Sequence, residues 1–291
     1  MSKKIVIVGG VAGGASAAAR IRRLDEKASI VMFERGDDAS FSNCSLPYFI
    51  GGVVPKREML VEMNPAKFKA WHNIDVRVKT EVVKICREEK YVLVRERETG
   101  KEYKESYDKL ILATGARAVK PRSITGVDRE NVFTVRNVTD ACALKDYVEQ
   151  HNAQNIVVAG GGFVGLEIAE NFKHAGRNVS IVEGAAQVMM PFDYDMAQLL
   201  HKEIIDNGIA LHVNSMVREI TDHSVIAERN GQTVELPADA VVLSIGVAQN
   251  TGLAVDAGLE IGEYRGIRVN HNYQTSDPDI YAVGDAIETY D

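Results

Sequence analysis

One pattern occurs twice in this chain and leaves few folds open to it. Residues 4–34 contain KIVIV, GGVAGG, ASAAARIRRL and ASIVMFE in that order. Residues 154–183 read QNIVVAGGGFVGLEIAENFKHAGRNVSIVE, the same succession of apolar run, glycine turn, helical stretch and second apolar run. Both copies end on a glutamate, Glu34 and Glu183. A short β-branched run closed by glycine predicts a strand buried on both faces. A strand, a glycine turn, a small-residue helix and another strand make a parallel crossover unit, and its repetition predicts a duplicated architecture. The expected fold class is α/β, with two Rossmann-like dinucleotide-binding domains in three layers.

The glycine spacing carries the chemistry. Glycines permit a tight turn and let the backbone approach a pyrophosphate at a helix N-terminus. In the second copy Gly160, Gly162 and Gly165 fit G-x-G-x-x-G, and Glu183, 23 positions after Gly160, is placed to accept hydrogen bonds from ribose hydroxyls. In the first copy Gly9 and Gly14 fit but the middle position is Val11, which leaves Gly10 and Gly13 for the close approach. Glu34, followed by Arg35, suits the other ribose. Two dinucleotide sites on one chain imply electron transfer from a nicotinamide to a flavin. Further along, YDKLILATGA (107–116) and ADAVVLSIGV (238–247) read as strands ending in small residues, and TSDPDIYAVGDA (275–286) ends in Gly-Asp.

The segment SFSNCSLPY (40–48) sets Cys44 among small polar residues, where a buried structural cysteine would sit in an apolar run. A short-spaced redox pair would need a second cysteine at Pro47 or Phe49, so a disulfide partner for Cys44 must come from outside the chain. Cys44, Cys86 and Cys142 have no metal-ligand spacing, so no metal is expected, and they fit a reducing, cytoplasmic setting. Cys86 and Cys142 read as inert, partly buried thiols. The 291 residues are enough for roughly two domains. A net charge of −7 argues against a nucleic-acid binder. No stretch approaches the roughly 18 apolar residues that cross a bilayer, and the apolar run at the start is too short for a signal peptide.

Together these ordered motifs resemble the two-dinucleotide-binding flavoprotein disulfide reductases, over residues 3–289. The resemblance implies a split FAD-binding domain, 1–115 plus 247–291, and an NAD(P)H-binding domain, 116–246. It places Thr114 and Gly115 at the first domain crossing, Gly246 at the return, and Gly284 and Asp285 at the flavin ribityl chain. Phe163 matches an aromatic gate over the flavin, and Glu167 a glutamate near the nicotinamide. The segment around Cys44 looks most like the single-cysteine coenzyme A-disulfide reductases and CoA-persulfide or polysulfide reductases. By that resemblance Cys44 and Asn43 are the catalytic pair, and Arg20, Arg23, Ser40, Asn43 and His72 line a CoA groove. The implied function is an FAD-dependent oxidoreductase that uses NADH in preference to NADPH to reduce a CoA-linked disulfide, persulfide or polysulfide. Ala12 stands where peroxidases and water-forming oxidases of the family carry a histidine, which disfavours peroxide chemistry. Alternatives are an NADH oxidase of the same family, a flavoprotein without turnover and an inactive fragment, since homologues are homodimers that continue into an interface domain.

Plainer readings stand beside some of these. Arg20 and Arg23, three apart on one helix face, are either a phosphate-binding pair or a solvated helix end paired with Asp25 or Glu26. Phe163 is otherwise turn packing, and Glu167 an ordinary helix-face carboxylate. Residues 87–105 read as an exposed hairpin, Trp71 as a packing residue, and VMMPFD (188–193) as a loop with buried methionines.

Overall fold

The computed structural model describes residues 2–289. The chain forms two compact units: Met1–Phe41 with Val61–Arg117 and Ala248–Asp291, and Ser42–Leu60 with Ala118–Val247.

The first unit is built on a five-stranded parallel sheet in the order Ile280–Ala282, Lys109–Leu112, Lys4–Val8, Ser29–Phe33, Asp75–Arg77. Its central strand shows why the sequence reads as an unbroken apolar run. Ile5 and Ile7 pack on one face with Ala15, Ala18 and Phe68, while Val6 and Val8 pack on the other with Val92 and Val94. The first group comes from the helices Ala12–Leu24 and Pro65–His72, and the second from a three-stranded antiparallel sheet, Thr80–Cys86, Tyr91–Glu96 and Glu102–Ser106. Fully burying each of the valine, isoleucine and phenylalanine side chains among them stabilises the fold by about 1.5–3 kcal/mol. Residues 87–105 are therefore no free hairpin: Val92 and Val94 are fully buried, because alternate side chains of their strand face the parallel sheet.

The second unit repeats the plan. Its parallel sheet runs Ala210–His212, Asn178–Val182, Asn155–Ala159, Ala240–Leu243, Val132–Phe133. Val157 and Ala159 share a core with Val225 and Ala227 of a second antiparallel three-stranded sheet, Ser215–Ile220, Ser224–Arg229 and Gln232–Pro237.

One segment departs from the expected plan. Ser42–Leu60 falls in the second unit, although it lies within the stretch 1–115 read as FAD-binding. The helix Leu46–Ile50 buries Leu46, Phe49 and Ile50. The Lys145 ammonium donates to the Phe49 carbonyl at 3.2 Å and lies over the Phe49 ring. A Cβ at Gly51 would stand 2.8 Å from Asn171, so only glycine lets the chain pass this close to the helix Phe163–His174.

Arg22 serves the fold of the first unit. Its guanidinium donates to the carbonyl oxygens of His72, Asn73, Asp25, Glu26 and Ala28, which ties the end of the helix Ala12–Leu24 to the turn after Pro65–His72. Trp71, expected to pack, is 69% exposed; the buried anchor of its helix is Phe68. Among the described residues no helix is long and apolar enough to cross a membrane.

Candidate functional site

The two glycine turns have the same geometry. Gly9 has φ +104° and Gly160 φ +108°. A side chain at Gly9 would strike the Ala113 carbonyl oxygen at 2.1 Å, and one at Gly160 the Ser244 carbonyl oxygen at 2.4 Å. A Cβ at Gly14 would lie 1.8 Å from the Gly9 oxygen, and one at Gly165 2.0 Å from the Gly160 oxygen. These four positions are glycine because strand, turn and helix meet there. Gly10 and Gly13 also abut protein atoms: a Cβ would meet Glu34 Cβ at 3.0 Å and Val283 Cγ2 at 3.1 Å respectively. Tight packing on the protein itself thus favours a glycine at both positions. At Gly162 a Cβ meets nothing within 4 Å, so the protein itself does not demand a glycine there.

Each glutamate is held in place by backbone amides. Glu34 Oε2 accepts from Gly10 N–H at 2.8 Å and its Oε1 from Gly36 N–H at 2.7 Å. Glu183 Oε2 accepts from Gly161 N–H and its Oε1 from Ala185 N–H, both at 2.7 Å. An ionised carboxylate offers about four lone-pair sites, so each oxygen retains capacity for a hydroxyl donor. Arg177 precedes the strand Asn178–Val182 and Glu183 follows it. At about 3.3 Å of rise per residue, roughly 20 Å of chain separates them, so that arginine sits at the opposite end of the strand.

The helices that leave the turns are open to an anion. Neither Ala12–Leu24 nor Phe163–His174 has a side-chain cap or an acid in its first turn. Pro65–His72 and Val138–Gln150, by contrast, start on Asn64 and Asn137, whose side chains accept from the Lys67 and Asp140 amides. Uncapped first-turn N–H groups and the positive end of the helix dipole suit a phosphate. With the held glutamates and the open position at Gly162, the residues present fit dinucleotides at both turns.

The remaining candidates fall into the two units. In the first, Thr114 Oγ1 donates to the Asn250 carbonyl and Asn250 Nδ2 donates back to the Thr114 carbonyl, while Gly115 has φ +61°. Gly284, φ +77° and open around its Cβ position, begins the turn that carries Asp285. Arg35 is exposed. Arg20 and Arg23 are exposed and make no ion pair among the described residues; Asp25 instead caps the Lys27 and Ala28 amides. Half-buried His72 has its ring 6.5 Å from that of Phe68. Ser40 has φ +50° and donates its N–H to the Gly10 carbonyl.

The second unit holds Cys44, exposed, in the turn Asn43–Ser45. The hydroxyls of Ser42 and Ser45, on either side of it, share a hydrogen bond of 2.8 Å. Asn43 Oδ1 is buried without a hydrogen-bond partner among the described residues of the protein. Gly246 has φ +125° and open space about it. Burial, and the neighbouring Glu170, push the Glu167 carboxyl above its usual range. Phe163 is 65% exposed, and its ring meets that of Phe192 edge-on. Sequence reasoning passed over Phe192 by taking its loop for one with buried methionines. Met189 is buried, but Met190 and Phe192 face solvent. Among the described residues no group of three His, Cys, Asp or Glu could hold a metal ion.

Paired uncapped glycine turns, each with a tethered acid, define a two-dinucleotide α/β protein with an exposed cysteine. Residues 3–291 match the family model described as pyridine nucleotide-disulphide oxidoreductase, and the chain belongs to that family. Among curated proteins it is 34% identical over 285 residues to the coenzyme A disulfide reductase of Staphylococcus haemolyticus, covering 98% of this chain and 63% of that one. The crystal structure of reduced Bacillus anthracis CoADR-RHD superposes with a TM-score of 0.95 at 43% identity, covering 99% of this chain and 51% of that one. The NAD-dependent persulfide reductase of A. fulgidus gives 0.92 at 36% identity, covering 98% and 53%. The chain thus spans under two thirds of the curated relative and about half of each solved chain.

Proposed function

We propose that this chain is the dinucleotide-binding part of an FAD-dependent oxidoreductase that uses NADH to reduce a CoA-linked disulfide, persulfide or polysulfide through Cys44. The observation that carries the reading is the exposed Cys44, with no second cysteine at short spacing, in a family member whose two glycine turns lead into uncapped helices. The first unit is the FAD site, through the turn at Gly9–Gly14, Glu34, Thr114, Gly115 and Asp285. The second takes NADH through the turn at Gly160–Gly165 and Glu183. FAD, when bound, supplies the two-electron relay between a nicotinamide and a disulfide.

The chain's own residues do the rest. The Cys44 thiolate attacks one sulfur of the substrate disulfide, forms a mixed disulfide and releases the first thiolate. Two electrons from NADH and a proton then return Cys44 to the thiolate and free the second thiol. Asn43, next to Cys44 in the same turn, stabilises the thiolate together with nearby backbone N–H groups and lines the CoA groove. Arg20 and Arg23, free of acidic partners among the described residues, bind CoA phosphates, with Ser40 and His72 along the same ligand. Glu183 accepts from both ribose hydroxyls and repels a 2′-phosphate, which favours NADH over NADPH by roughly tenfold to a hundredfold.

The test is Cys44→Ser. It is expected to abolish NADH-dependent reduction of CoA disulfide and leave NADH-dependent reduction of ferricyanide intact. Disulfide turnover by the variant at the wild-type rate would remove Cys44 from the mechanism. The double change Arg20→Ala with Arg23→Ala is expected to raise KM for CoA disulfide at least about tenfold while leaving that for cystine unchanged.

A further inference from the structure

The duplication extends past the glutamates. In the first copy Ser40, φ +50°, donates its N–H to the Gly10 carbonyl at 2.8 Å; in the second Met189, also φ +50°, donates to the Gly161 carbonyl at 2.9 Å. Each of these residues stands six positions after its glutamate. Nine positions after the glutamate come Asn43 in the first copy and Phe192 in the second. The loop that leads to the redox cysteine in one copy therefore leads to an aromatic ring in the other.

That ring is held firmly and yet left in water. Val188 N–H donates to His201 Nε2 at 3.1 Å, and the Val188 side chain fills the space a Cβ at Gly161 would need. Phe192 N–H donates to the Met189 carbonyl, and the buried Gln187 carboxamide donates to the Phe192 carbonyl, both at 2.8 Å. The Phe192 ring, 41% exposed, meets the Phe163 ring with centroids 6.5 Å apart and planes at 83°. Phe163 opens the uncapped helix of the second glycine turn. Two exposed phenyl rings fixed beside a dinucleotide fingerprint suit a planar heterocycle. An edge-to-face pair fixes ring orientation and leaves the rest of each exposed surface available to a third ring.

We propose that Phe192 is a positioning residue of the second dinucleotide site, holding the Phe163 ring where the nicotinamide of a pyridine nucleotide packs. The proposal rests on the reading of that turn as the NADH site. The test titrates NAD⁺ and ADP-ribose, which lacks the nicotinamide, into the wild-type chain, Phe192→Ala and Phe192→Tyr by calorimetry. Phe192→Ala is expected to weaken NAD⁺ about threefold to tenfold, to leave ADP-ribose within about twofold, and Phe192→Tyr to restore NAD⁺ binding. Unchanged NAD⁺ affinity in Phe192→Ala, equal weakening of both ligands, or a tyrosine no better than alanine overturns the role of Phe192 alone. A wild-type chain that binds neither ligand overturns the NADH reading itself, and this inference with it.

Discussion

The turn at Gly9–Gly14 and the turn at Gly160–Gly165 agree in backbone and differ in what covers them. Both use a glycine with φ above +100°, a second glycine pressed on the carbonyl of the first, and a glutamate held by two amides. In the first turn the next residues are Val11, Ala12 and Gly13, and Gly13 lies against Val283 of the strand-end segment that returns late in the chain. In the second they are Gly162, Phe163 and Val164, all exposed. One scaffold thus supports a turn whose Gly13 abuts its own chain and a turn whose matching residues carry larger, exposed side chains. Shared residues serve the fold, and differing ones mark what each site is for.

The largest expected effect tests the shared part. Gly14→Ala and Gly165→Ala each push a methyl to about van der Waals overlap with a backbone carbonyl, and each is expected to cost about 3 kcal/mol in denaturant unfolding. A large loss for one and none for the other breaks the equivalence. Next come Glu34→Gln and Glu183→Gln. Each leaves one backbone N–H without its charged acceptor, so unfolding of the ligand-free protein is expected to shift by about 1.5–3 kcal/mol, similarly in both.

Gly162→Ala addresses the difference between the turns. The added methyl meets no protein atom, so stability is expected to stay within about 0.5 kcal/mol while NAD⁺ affinity falls about tenfold, or 1.4 kcal/mol. An unchanged NAD⁺ affinity would return this glycine to chance. The smallest effect is one of pH and belongs to the second copy alone. Burial holds His201 below its ordinary pKa, and its Nε2 must be unprotonated to accept from Val188. The unfolded chain therefore takes up the proton first. The stability His201 contributes is present above about pH 6.5 and is lost as pH falls through the unfolded value toward the folded one. Melting temperatures between pH 8 and 5.5 are expected to fall less in His201→Leu than in the wild-type chain.

Much of the fold was legible because it rests on local rules. β-branched runs predicted the parallel strands, and the glycine turns with Glu34 and Glu183 predicted where each crossover begins and ends. What escaped was tertiary. Spacing could not show that Gly10 and Gly13 press on protein while Gly162 faces open space, since that depends on Glu34 and Val283 arriving from elsewhere. Nor could it show that Val92 and Val94 are covered, that Trp71 is not, or that Ser42–Leu60 packs against Lys145 and Asn171. Phe192 carried a signal that went unread: it stands at the same distance from its glutamate as Asn43 does from the first.

The guanidinium of Arg22, saturated by carbonyls of two segments far apart in sequence, 25–28 and 72–73, has a consequence for motion. Fraying normally begins independently at each helix terminus. Here the last turn of Ala12–Leu24 and the turn at His72–Asn73 share one set of bonds, so neither opens without releasing the other. The two segments are expected to exchange amide hydrogens as a single cooperative unit, and Arg22→Lys, which cannot span so many acceptors, is expected to separate their exchange rates.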